Sequence, residues 1–363
     1  MLDLGRRIRP GISEIQPYVP GLTDDQLKHT YGLSRVVKLN ANENALGASP
    51  MALAAIREEM NMLHHYPDGS SDLLRRAIAE FHGLKQEHVL VGNGSDDLIK
   101  LLSETFLDPG DEIVVPHPSF SQYTFGAYIM RANVKPVSLT ADFRYDVEAF
   151  LKEVNEKTKL VYLCSPNNPT GDVATQEAVE WLLERLPENV VLIIDLAYND
   201  FSTRPDRVME TSKLLEDPRV VLIHTFSKLY GLAGLRVGYG LANPELWSFV
   251  NRVREPFNVN RLAQRAAAAA LADEGHRTAS VQHALRAREF YRDLANELGL
   301  TAMPTEANFV LLHTGDGAKT TQKLMEQGVM VRTGFRGLEE YVRITFGTDE
   351  ENELCASALK KTL

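Results

Sequence analysis

Cysteine is nearly absent from the 363-residue chain: Cys164 and Cys355 are the only two, far apart and without metal-ligand spacing. A disulfide framework is thereby excluded, and a reducing compartment, the cytoplasm, is expected. Long apolar runs are missing as well. No stretch approaches the roughly 18 apolar residues of a membrane span, and the opening MLDLGRRIRPGISEI lacks the apolar core of a signal peptide. Neither insertion nor export is expected. A basic stripe is the third absence. Lys and Arg number 39 against 49 Asp and Glu, for a net charge of −10, and they are scattered, which argues against nucleic-acid binding. What remains is ordinary globular composition, 44% hydrophobic and 24% charged, in a chain long enough for one large domain and a smaller one.

Between Lys38 and Asn243, short β-rich runs alternate with helical patterns, which predicts a mostly parallel sheet with helices on both faces. Seven strands are expected: HVLVGN from His88, DEIVVP from Asp111, NVKPVSL from Asn133, KLVYLC from Lys159, VVLIID from Val190, VVLIHT from Val220 and VGYGLA from Val237. Several are continuously apolar, as buried parallel strands are. Leu98, Leu101, Leu102, Thr105 and Phe106 recur at helical spacing after Ser95, which is expected to cap that helix. Beyond Asn243 come long helices, among them one through the alanine run from Ala266, and then NFVLLHT, GVMVRT and YVRITFG. The expected fold class is α/β: a large domain with a mostly parallel seven-stranded sheet over residues 38–248, plus a smaller α+β domain over 249–363. Residues 1–37 are too short to fold alone and are expected to pack on the small domain or on a neighbouring subunit.

Functional residues of such sheets gather at the carboxyl ends of the strands. GNGSDD from Gly92 reads as a turn into a helix start whose backbone amides suit an anion. It lacks the third glycine of a dinucleotide fingerprint and the Lys-Ser/Thr of a P-loop, so one phosphate is favoured over NAD or ATP. SPNNPTG from Ser165 places Asn168 and Pro169 after a buried strand, with a cis bond at Pro169 as one option. Asp195 ends VVLIID, where a buried carboxylate costs several kcal/mol without a partner, so it calls for a cation. Lys228 follows VVLIHT and precedes Gly231, Gly234 and Arg236, a setting able to hold a deprotonated amine beside a phosphate.

Together these supply an amine for an aldehyde, a carboxylate for a pyridinium, donors for a phenolate oxygen and a phosphate cradle. Pyridoxal phosphate requires all four. Asp195 would keep the ring nitrogen protonated, Tyr198 and Asn168 would bond the phenolate, and Phe120 could stack on the ring. A silent binding protein or an NAD-dependent oxidoreductase on a similar sheet is the reading from another class; neither attaches a cofactor to Lys228. His64 and His65 could suggest metal, but neighbouring residues point apart on a helix or a strand, and no metal is expected.

At this point the chain resembles the fold-type I aminotransferases, specifically the histidinol-phosphate aminotransferase group. The likeness is carried in order by LNANENALG, HHYPDGS, GNGSDD, SPNNPTG, DLAY, SKLYGLAGLRVGY and VRITFGT, over nearly the whole chain. The resemblance implies that Lys228 forms the Schiff base and shuttles the substrate proton, with Asp195 and Tyr198 as its catalytic companions. It implies that Gly94, Ser95, Asp96, Thr225, Ser227 and Arg236 surround the phosphate, with Phe120 and Asn168 at the ring. It also implies a homodimer in which Tyr66 reaches the phosphate of the other subunit. Arg343 would bind the substrate anion, with Arg332, Tyr18 and Asn42 assisting. The implied reaction passes the amino group of histidinol phosphate to 2-oxoglutarate in histidine biosynthesis. The chain departs from the family's common NENP and RP in reading NENA at Asn42 to Ala45 and RTGFRG at Arg332 to Gly337. An aromatic or broad-specificity aminotransferase is therefore the alternative, followed by a pyridoxal-phosphate decarboxylase of a phosphorylated amino acid. Arg336 adds a charge to a segment that could line the substrate pocket.

Overall fold

The computed structural model describes residues 7–9, 12, 15, 22–209 and 213–363. These contain strands β1 (Val37–Lys38), β2 (Val89–Gly92), β3 (Glu112–His117), β4 (Asn133–Ser138), β5 (Thr158–Cys164), β6 (Val191–Asp195) and β7 (Val220–Thr225). They continue with β8 (Gly238–Ala242), β9 (Thr301–Ala302), β10 (Phe309–His313), β11 (Val329–Met330) and β12 (Tyr341–Thr345). The seven expected strands form one sheet, ordered β2-β8-β7-β6-β5-β3-β4. Only β8 runs against its neighbours; β7, β6, β5, β3 and β4 are parallel. The apolar runs follow from burial on both faces. Val161, Leu163, Leu192, Ile194 and Leu222 pack on one side, and Leu160, Tyr162, Ile193, Val221 and Ile223 on the other, all 0% exposed. The period-2 pleat sends successive apolar residues to opposite, equally dry faces.

The carboxyl ends of β5, β6 and β7 lie side by side, because Cys164 pairs with Asp195 and Asp195 with Ile223. Helix Ser95–Phe106 starts beside them. Its cap is not Ser95, as the sequence suggested, but Gly94, at φ +85° and ψ 169°, and no side chain bonds the first amides. A glycine takes that backbone conformation cheaply, so the helix begins one residue earlier, at Ser95, and no side chain caps its first amides. Gly238 on β8 permits the approach: a Cβ there would stand 2.8 Å from the Ser95 nitrogen.

A smaller antiparallel sheet, β12-β10-β9, carries the C-terminal part. There β1 pairs in parallel with β11, the Tyr31 hydroxyl accepts from Gln322 and Arg35 pairs with Glu350, so residues 24–38 sit on that part. Arg9 instead donates to the Ile129 carbonyl on a large-sheet helix, at 2.9 Å. Helix Arg261–Ala272 packs on helices Pro50–Glu59 and Asp72–His82. Ala263, Ala266, Ala267 and Ala270 are all 0% exposed, and their small side chains let the helices approach closely.

Candidate active site

Asp195, at the end of β6, is 3% exposed. Its carboxylate accepts from the Tyr123 hydroxyl at 2.7 Å and from the Ala197 amide at 3.0 Å. Both donors are neutral, and burial pushes the carboxyl up to about 6 despite them. A buried acid without an ion pair is the arrangement that a ligand cation would complete.

Lys228, three residues past β7, is half-buried. It donates to the Ala41 carbonyl at 2.9 Å and lies 5.8 Å from the centre of the Tyr198 ring. Burial first, then the Arg343 charge, lower the amine to about 8, against the pull of Glu43 and Asp96. A substantial neutral fraction is therefore present near neutrality, as a nucleophilic amine requires. Gly231 makes the lysine's surroundings possible. At φ +66° it brings the lysine loop so near residues 47 and 48 that a Cβ would stand 2.0 Å from the Gly47 carbonyl oxygen.

At the open start of helix Ser95–Phe106, Arg236 reaches Asp96 at 3.2 Å, and a Cβ at Gly94 would lie 2.7 Å from its Nη2, so the guanidinium would have to shift. Thr225 and Ser227 are each 7% exposed, and the Ser227 amide donates to the Thr225 hydroxyl. Open helix amides, two hydroxyls and a guanidinium make an anion cradle.

Arg343, on β12, is 6% exposed. It donates to Asn168 Oδ1 at 2.5 Å and to the Asn40 carbonyl at 2.8 Å, between the rings of Phe309 and Phe335, each 5.3 Å away. Its Nε has no partner, and among the described residues no carboxylate pairs with it. Burial lowers it to about 10, still above neutrality. A buried guanidinium held only by neutral acceptors is a ready anion site. Asn168 stands before Pro169 on a cis peptide bond.

Other expected residues sit differently. Asn42 is 1% exposed and spends its side chain on Tyr198 and Thr345. Arg332 bridges Arg343 through its main chain, while its side chain is exposed. Arg336 is exposed near His117 and Glu339, and it helps to lower that histidine after burial, the larger cause. Phe120 is half-buried, edge-on to Tyr123. Tyr66 is 78% exposed and stacks on Phe257 at 4.9 Å. Tyr18 lies outside the described residues. The His64 and His65 rings are only 4.0 Å apart, contrary to the expectation that they diverge, because they occupy a turn where neither strand nor helix geometry separates them. No group of three metal-type ligands occurs among the described residues.

Sequence reasoning missed Tyr123, Thr345, Phe335 and the carbonyls of Asn40 and Ala41. Thr345 shares a strand face with Arg343, so spacing held a signal for it; Tyr123 lies at the start of helix Gln122–Met130, just past Phe120. Main-chain acceptors leave no trace in side-chain identity.

Residues 34–359 match the family model for class I and II aminotransferases. The chain is 41% identical to histidinol-phosphate aminotransferase of Moorella thermoacetica, over 98% of this chain and 93% of that one. It is also 41% identical to the enzyme of that name from Geobacillus thermodenitrificans, over 96% and 95%. The crystal structure of histidinol-phosphate aminotransferase from Sinorhizobium meliloti in complex with pyridoxal-5'-phosphate superposes with a TM-score of 0.91. Its identity is 28%, over 98% of this chain and 97% of that one.

Proposed function

Because the chain belongs to the class I and II aminotransferase family, we propose that it transfers the amino group of histidinol phosphate to 2-oxoglutarate, with pyridoxal phosphate as cofactor. The observation that carries this reading is the pairing of two incomplete charges. Among the described residues Asp195 is a buried acid with no cation bound to it and Arg343 a buried cation with no anion bound to it, and each is within electrostatic reach of Lys228. The bound cofactor supplies an electron sink for the charge that develops at the substrate Cα.

Each residue then has a task that its geometry supports. Asp195 holds a protonated ring nitrogen, and Tyr198 and Asn168 face the phenolate side. Gly94, Ser95, Asp96, Thr225, Ser227 and Arg236 gather at the phosphate. Lys228 Nζ would anchor the cofactor and, once released, its amine would move a proton between the substrate Cα and the cofactor's C4′ carbon, as base and then as acid. Arg343 grips the substrate anion. Histidinol phosphate offers a phosphate and glutamate a carboxylate, and one forked guanidinium accepts either.

Arg343→Lys tests the last role. A lysine keeps the charge and loses the fork, so kcat/KM for histidinol phosphate and for glutamate should both fall by about 10²-fold, mostly through KM. Unchanged KM for both donors would remove Arg343 from the site. The donor itself is read from single-turnover half-reactions: phenylalanine converting the enzyme while histidinol phosphate fails would establish the aromatic alternative.

Tyr66, Phe257, Leu63 and Met60 are 78%, 45%, 58% and 52% exposed in the isolated chain. Apolar exposure on this scale suits a partner surface, and we assign it to a second copy, with Tyr66 reaching that copy's phosphate site. Sedimentation at micromolar concentration should give the mass of two chains; a one-chain mass with full activity would overturn the shared site. Under the proposed division into 38–248 and 249–363, helix Arg261–Ala272 packs on helices Pro50–Glu59 and Asp72–His82, and helix Glu274–Leu298 on Asn199–Phe201. The two buried free cysteines accord with a cytoplasmic enzyme.

A further inference from the structure

Three hydrogen bonds behind Tyr198 have a fixed direction. The Asn42 backbone amide donates to Thr345 Oγ1 at 2.9 Å. An amide nitrogen is only a donor, so this bond occupies an acceptor site of the hydroxyl and leaves the Thr345 proton free to be given elsewhere. That proton goes to Asn42 Oδ1, 3.0 Å away. With its oxygen turned to Thr345, the Asn42 side chain must present its NH2 group to the other side, where Nδ2 donates to the Tyr198 hydroxyl at 2.9 Å. The Tyr198 hydroxyl oxygen thus accepts a hydrogen bond from behind, and its own proton is available to an acceptor in front.

The surrounding structure holds this polarity in place. Asn42 is 1% exposed and Thr345 3%. Asn42 adopts φ +54°, which asparagine tolerates better than most residues. Its carbonyl accepts from Asn308. Phe309 packs edge-on against the Tyr198 ring at 5.3 Å, which limits rotation of the phenol. Thr345 lies two residues from Arg343 on β12, and residues two apart share a strand face. The strand that carries the anion-binding arginine therefore also sets the orientation of the tyrosine hydroxyl.

We propose that Asn42 and Thr345 are positioning residues that act through Tyr198, aiming its hydroxyl proton at the phenolate oxygen of the cofactor. Asn42, expected from sequence to touch substrate, supports the cofactor contact instead. The inference rests on the role given to Tyr198 above.

The test is the pH titration of the visible absorption band of the holoenzyme in Thr345→Val, Thr345→Ser, Asn42→Asp and Tyr198→Phe proteins. A donated hydrogen bond favours the anionic oxygen. Its loss in Tyr198→Phe should raise the midpoint of the band by roughly one pH unit, the equivalent of one hydrogen bond. Thr345→Val removes the hydroxyl with little change of shape and should raise the midpoint by about half that or more. Thr345→Ser, which keeps the hydroxyl, should restore it. Asn42→Asp replaces the NH2 donor by an acceptor and should shift the midpoint upward as well. Combining Thr345→Val with Tyr198→Phe should add nothing to Tyr198→Phe alone. A shift in Tyr198→Phe with none in Thr345→Val and Asn42→Asp overturns this inference, as does full additivity. No shift in Tyr198→Phe itself would instead overturn the role of Tyr198. Thr345→Val keeps the buried volume, and Thr345→Ser reports separately on folding, so a collapsed variant is recognised.

Discussion

Lys228→Ala protein given pyridoxal phosphate is expected to show no pH-sensitive visible band and to lose up to about four orders of magnitude in the half-reaction rate. One amine serves twice in the proposed function, as the attachment point and as the group that moves the substrate proton, so no neighbour replaces it. Arg236 is exposed and engaged with Asp96, and Arg343 is held by Asn168 and Asn40. The parent's covalent capture of the cofactor, read as the added mass after borohydride reduction, should speed up as pH rises through about 8, because only the neutral amine attacks. The sign for stability follows from the same shift. The folded amine titrates near 8 and the unfolded one near 10.5, so between those values the unfolded chain holds more protons and the cofactor-free protein gains stability with rising pH. Lys228→Ala removes that gain. Thermal melts of cofactor-free parent and variant at pH 7 and pH 10 should converge or cross in favour of the parent at the higher pH. A visible band persisting in the variant would refute the assignment of the anchoring lysine.

Asp195→Asn should lower turnover by about 10²- to 10³-fold, the loss typical of removing one preorganised charge contact from a developing transition state. Asparagine retains the shape and a bond to Tyr123 but cannot hold a positive ring nitrogen. The stability consequence runs the other way. Asp195 is pushed up to about 6 from 3.8, first by burial, so the folded state favours the proton. Its contribution is fully present below about 4 and is lost as pH rises through about 6. Above that window the cofactor-free parent carries an unpaired buried charge. Cofactor-free Asp195→Asn should therefore melt higher than the parent at pH 8 and equal to it near pH 4, while binding pyridoxal phosphate more weakly. A variant that melts lower at pH 8 and binds the cofactor as tightly as the parent would refute the assignment of the carboxylate. The combination of a stabilised scaffold and a lost activity is the trade-off expected where a site stores an unfavourable group for its ligand.

The strands and their order in the chain were legible in the sequence because burial on both faces writes itself as continuous apolar runs, as in VVLIID and VVLIHT. Strand order in the sheet was not, since β8 inserts between β2 and β7, and a run of apolar residues does not name its neighbours. The small side chains of Ala263 to Ala270 promised a closely packed helix; that its partners lie at residues 50–59 and 72–82 is a fact of tertiary contact. Ser95 illustrates a local rule overruled: its composition favours a cap, but the glycine before it takes the cap position and leaves the helix start open to an anion.

Lys228, Asp195, Tyr198, Asn168 and Arg236 were legible as a set of candidates, because costly or reactive side chains gather at or just past the ends of apolar strands or beside glycines, whereas the role of Arg343, inside β12, was implied only by the family resemblance. The tertiary structure alone decided how they are supported. Tyr123 behind Asp195, Thr345 and Asn42 behind Tyr198, and the Ala41 carbonyl on Lys228 come from segments up to some three hundred residues apart in sequence. Hydrogen bonds are directional and short-ranged, so their partners exist only once the chain has closed. The amino-acid sequence determined which groups are proposed to carry the chemistry; the fold determined which way their hydrogen bonds run.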